Sequence, residues 1–105
     1  MTPAGPPRTR LSLLTIIGEA VLEDRLLRDL REFGVRGWTL DPVRGEGSRG
    51  TRASTIEGGN LRIETLVTAE LADRILDHVA EQYFPHFAVI AFTHPVDVVR
   101  GDKFR

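Results

Sequence analysis

Leu61-Arg62-Ile63-Glu64-Thr65-Leu66-Val67-Thr68-Ala69-Glu70-Leu71-Ala72 changes its hydrophobic period at Thr68, and that change decides the fold class. Before it, Leu61, Ile63, Thr65 and Val67 alternate with Arg62 and Glu64, the period of a strand with one wet face. After it, Ala72, Ile75, Leu76, Val79 and Tyr83 recur at helical spacing. Thr68 is a side chain that caps such a helix, Glu70 in the first turn suits the helix dipole, and Pro85 stops it.

Outward from this strand–helix unit, the same alternation of elements repeats. Leu11, Leu13, Leu14, Ile16 and Ile17 form a nearly continuous apolar run ending at Gly18, which predicts a buried strand. From Glu19 to Phe33, Leu22, Leu26, Leu27, Leu30 and Phe33 follow helical spacing, and Gly34 supplies a C-terminal stop. Trp38, Leu40 and Val43 mark a second strand weakened by Pro42. Phe87 to Phe92 predicts a fourth strand, and beyond Pro95 the residues Val96, Val98 and Val99 predict a short extra one. Residues 1–9 hold three prolines and no periodicity, and are expected to be a disordered tail before a domain spanning 10–105. The order β-α-β-β-α-β is that of an α+β, ferredoxin-like fold: an antiparallel sheet with both helices on one face. Trp38, Thr65, Phe92 and the late valines are expected to keep the other face from being fully wet.

Composition narrows the functions. The chain has 105 residues, enough for one domain with a thin core, which favours oligomerisation. With no cysteine it has no disulfide, thiolate metal site or cysteine nucleophile. Its apolar runs are too short to span a bilayer and no apolar leader follows Met1, so the expected location is the cytoplasm. His78, His86 and His94 match no ligand spacing, so no metal is expected. Charges on the first helix, Glu23, Asp24, Asp29 and Glu32, read as a solvated face. No catalytic set is recognisable, and no enzyme activity is expected.

The segment from Arg44 to Asn60 carries five glycines and almost no apolar residue. Glycines let backbone N–H groups approach an anion, Ser48 adds a hydroxyl, and Arg49 and Arg52 offer planar forks that fit phosphate oxygens. Composition alone leaves a solvated loop equally open.

Gly37-Trp38-Thr39-Leu40, followed by Gly45-Glu46-Gly47-Ser48-Arg49 and Arg52, resembles the PII-like proteins of the nitrogen regulatory PII superfamily, in particular the SbtB and carboxysome-associated branch. The resemblance continues through Asn60–Glu64, Ala80–Ala88 and Arg100–Phe104. It implies a homotrimer that binds adenine nucleotide between subunits and signals through a T-loop, here about residues 44–60. By the same resemblance Gly47, Ser48, Arg49 and Arg52 would hold phosphates, Gly37, Trp38 and Thr39 would lie near adenine and ribose, and Phe87 and Ala88 would close the cleft. Arg44 is expected to face solvent. The lysine-rich B-loop of other PII proteins is not recognisable, which favours AMP or ADP over a triphosphate. Bicarbonate sensing, and control of a transporter or a carbon-metabolism protein, are implied by resemblance only. The same element order also describes an RNA-binding RRM and a CutA-like trimer. The strand Leu61–Val67 lacks the aromatics an RRM needs, and the slightly acidic chain does not suit nucleic acid.

Overall fold

The computed structural model describes residues 5–45 and 59–104. Four strands, β1 (Arg8–Glu19), β2 (Thr39–Val43), β3 (Asn60–Val67) and β4 (Val89–Val99), form one antiparallel sheet in the order β2-β3-β1-β4. The helices α1 (Glu23–Glu32) and α2 (Ala69–Gln82) cover one face. No helix among the described residues is long and apolar enough to cross a membrane.

Sequence and structure agree at the elements with the clearest signals. β3 alternates buried and half-buried along its whole length. The Thr68 hydroxyl accepts from the Leu71 N–H at 3.2 Å, and Gly34 takes a φ of +87°, the left-handed turn that ends α1. Leu14 and Ile16 from β1, Leu61, Ile63 and Val67 from β3, Leu26 and Leu30 from α1, and Ile75 and Val79 from α2 make the core. A fully buried Leu or Ile contributes roughly 1.5–3 kcal/mol. The exposed pair Arg10–Asp97 adds little, and the half-exposed pair Arg62–Asp41 adds at most about 1 kcal/mol. Burial therefore dominates.

The expected extra strand is not separate, because β4 runs unbroken through Pro95 and pairs with β1 from Val89 to Val99. Proline is tolerated there because β4 is an edge strand, as β2 is for Pro42; an edge has no second neighbour to need the missing N–H. β1 begins at Arg8, inside the segment expected as tail, because Arg8 and Thr9 pair with Val99 and Val98 of that longer β4. Glu19 closes β1 rather than opening the helix, and a single 3-10 turn, Ala20–Leu22, separates the two. Trp38 and Thr65 lie on the helix side: Trp38 packs against the core, and the Thr65 hydroxyl donates to the Gly37 carbonyl. The helix-free face carries Leu13, Ile17, Ile90 and Phe92 instead, the last two 56% and 44% exposed.

Asp29 is not part of a solvated face. Its Oδ2 accepts from the Tyr83 hydroxyl and from His78 Nε2 at 2.9 Å, tying α1 to α2. Tyr83 is wholly buried, and burial, reinforced by the Asp29 carboxylate, raises its phenol well above the ordinary value. A group raised in this way adds stability below the unfolded tyrosine pKa of about 10 and loses it as pH climbs further. Tyr83→Phe should therefore cost about 1.5–3 kcal/mol at neutral pH, measured by urea unfolding. Since Tyr83 is the sole tyrosine, tyrosinate absorbance in the native protein should lag well behind that of the unfolded chain on raising the pH. Coincident titrations would show that Tyr83 is neither buried nor bonded to Asp29.

Candidate functional site

Gly37, Trp38 and Thr39 lead into β2, the strand at one edge of the sheet. The Gly37 carbonyl is held by Thr65, and Arg31 of α1 lays its guanidinium 5.1 Å from the centre of the Trp38 ring, a cation–π contact. The Trp38 ring is thus turned to the helix layer, and its neighbour Thr39 is exposed, opposite Glu64 on the helix-free face.

Phe87 and Ala88 lead into β4, at the other edge. The Phe87 ring lies 6.1 Å from Tyr83 and 6.4 Å from His86, with the Arg25 guanidinium over Tyr83 at 4.6 Å and 5.9 Å from Phe87. The Ala88 N–H donates to Glu19 Oε2 at 2.7 Å. The next residue, Val89, sits against Gly18, where a Cβ would come within 2.9 Å of Val89 Cγ2. A valine on β4 fits at this place because its neighbour on β1 has no side chain.

Two sets of expected site residues are thus described, and one chain does not bring them together. Thr39 is on β2 and Ala88 precedes β4, with β3 and β1 between. Three inter-strand spacings amount to about 14 Å across the sheet. They are also staggered along it, since Thr39 is level with Thr15 and Phe92, whereas Val43 is level with Asn60 and Glu19. One chain thus holds the two sets at opposite edges of its sheet. Arg44 is exposed, as expected. Gly47, Ser48, Arg49 and Arg52 lie outside the described residues.

Sequence reasoning missed two polar groups, Glu19 and Asp29. By periodicity each belongs to a helix surface. Only the ends of the elements in space show that Glu19 reaches Ala88 and that Asp29 faces α2. The described residues contain no group of side chains suited to a metal ion.

The family model described as "Nitrogen regulatory protein P-II" matches residues 11–103. Among solved structures, a protein described as a PII-like signalling protein from Thermus thermophilus is 49% identical, with a TM-score of 0.81 over 93% of this chain and 98% of that one. CPII from Thiomonas intermedia, bound to ADP and bicarbonate, is 26% identical, with a TM-score of 0.83 over 96% of this chain and 100% of that one. A second CPII structure, described as a nitrogen regulatory PII-like protein bound to ADP, AMP and bicarbonate, is 25% identical, with the same TM-score of 0.83 over 96% of this chain and 99% of that one.

The Gly18–Val89 contact yields a stability test. Gly18→Ala should destabilise by about 1–3 kcal/mol through overpacking. Val89→Ala in the same chain should restore most of that loss, because it removes the methyl group that the new Cβ meets. Urea midpoints of the two single variants and the double variant decide it; strictly additive losses would mean the two side chains do not compete for one space.

Proposed function

Because this chain belongs to the nitrogen regulatory protein P-II family, we propose that it is a non-enzymatic signalling protein that binds AMP or ADP in clefts between the subunits of a homotrimer. The observation that carries this reading is the likeness over 96% of the chain to CPII, bound in its solved structures to ADP, AMP and bicarbonate. The edge geometry supports it, since one chain keeps Gly37–Thr39 and Phe87–Ala88 at opposite edges of its sheet. So does the helix-free face, where Ile90 and Phe92 stay largely exposed in a single chain. A second copy covering such a face gains burial that a small domain otherwise lacks.

In this reading Thr39 faces the ribose or base, and Phe87 and Ala88 of the adjoining copy close the cleft. Trp38 supports the site from the helix side through its backbone, with Arg31 holding its ring. Gly47, Ser48, Arg49 and Arg52 take the phosphates, the arginines as bidentate forks. Bicarbonate is a second ligand, and the partner is a transporter or another protein of inorganic-carbon metabolism, as the likeness to the SbtB and carboxysome-associated branch implies. Cytoplasmic location follows from such a partnership. The RNA-binding and CutA-like alternatives lapse with the family match.

Sedimentation equilibrium should give about three times the monomer mass of 11.7 kDa. Calorimetric titration should show AMP or ADP binding, and Arg49→Ala or Arg52→Ala should weaken it by about ten- to a hundredfold, the worth of a charge-assisted hydrogen bond. Arg44→Ala should change it little, as an exposed charge does. A trimer in which Arg49→Ala and Arg52→Ala bind like wild type would place the phosphates elsewhere.

A further inference from the structure

β3 turns Leu61, Ile63, Thr65 and Val67 toward the helices, and Thr65 is the polar member of that row. It is 4% exposed and lies opposite Leu14 of β1, which is wholly buried. A hydroxyl among aliphatic side chains costs free energy unless it is bonded, and valine would fill the same space without that cost. Packing alone therefore does not call for threonine here. What the hydroxyl does is donate to the Gly37 carbonyl.

That carbonyl lies just beyond the end of a ladder. β2 pairs with β3 from Val43 back to Thr39, which faces Glu64, and there the pairing stops. Trp38 and Gly37 precede the strand and have no partner in the ladder. Two side chains hold them instead. Thr65 holds the backbone at Gly37, and Arg31 stacks its guanidinium 5.1 Å from the centre of the Trp38 ring. Thr39 comes next, its side chain exposed on the helix-free face. Its orientation is thus set from both directions, by the ladder after it and by the two anchors before it. Gly37 itself has no left-handed φ, and a Cβ added to it would meet nothing within 4 Å. The chain leaves the space beside this segment open.

We infer that Thr65 is a positioning residue for nucleoside recognition: by holding the Gly37 carbonyl it fixes the backbone that presents Thr39. This rests on the reading that places adenine and ribose beside Gly37–Thr39. A contact to phosphate would matter more as phosphates are added. A residue that positions the nucleoside end acts by the same factor on every ligand, whatever its phosphate count.

The test is calorimetric titration of adenosine, AMP and ADP into wild type, Thr65→Val and Thr65→Ser, with urea unfolding and tryptophan emission recorded on the same proteins. Trp38 is the sole tryptophan, so its emission reports on this segment. Thr65→Val keeps the shape of the side chain and removes the hydroxyl. It should weaken all three ligands by one common factor, about three- to tenfold, the worth of one neutral hydrogen bond. Its emission should move to the red as the segment loosens. Thr65→Ser, which keeps the donor, should return both affinity and emission close to wild type. Thr65→Val that binds like wild type overturns the inference while leaving nucleotide binding intact, and a lowered urea midpoint would then mark the bond as structural only. A loss that grows with phosphate count overturns it as well, as does Thr65→Ser binding no better than Thr65→Val. Wild type that binds none of the three ligands overturns the underlying reading instead. Should Thr65→Val not fold, Thr65→Ser against Thr65→Ala isolates the same hydroxyl, with serine expected to bind tighter by the same factor.

Discussion

Strand β1 is the element on which the rest of the structure depends. It pairs with β3 on one side and with β4 on the other, over Ser12–Glu19 and Arg8–Gly18 respectively. A strand bonded on both sides satisfies its backbone N–H and C=O groups along most of its length, which leaves β2 and β4 as the edges. The two edges then carry Gly37–Thr39 and Phe87–Ala88, one set each. Residues on opposite edges of one sheet do not meet, so a single chain keeps these two sets apart.

The same placement explains where the chain uses proline and glycine. Pro42 and Pro95 both sit within edge strands, where a missing N–H costs little and a neighbouring chain is discouraged from adding to the sheet. Gly18 lies in the central strand, where a side chain would strike Val89. Edge protection directs association toward faces and termini rather than toward open-ended strand addition, and the apolar helix-free face is the surface left for it.

The polar contacts of the interior serve position as well as stability. The Arg25 guanidinium lies over Tyr83, whose ring contacts Phe87, and the Tyr83 hydroxyl is held by Asp29 between the two helices. This chain of contacts orients the segment that turns from α2 into β4. Glu19 holds the same segment one residue later, from the strand side. The segment at Phe87 and Ala88 is thus held from both layers of the fold.

Periodicity in the sequence was enough for the order of elements, the cap at Thr68, the stop at Gly34 and the composition of the core, because these depend on residues close together in the chain. The family was legible for a related reason: its motif is a run of adjacent residues, Gly45 to Arg49, followed by Arg52. Which side Trp38 faces, the continuity of β4 through Pro95, and the partners of Asp29 and Glu19 were not legible. Each depends on a residue far away in sequence: Trp38 on Arg31 and the core, Pro95 on Ser12, Asp29 on Tyr83, and Glu19 on Ala88. Hydrophobic pattern records whether a side chain is buried, not which partner buries it or which hydrogen bond it makes. Only strand order and helix placement supply that, so the edges, and the bond between Glu19 and Ala88, were decided by the tertiary structure.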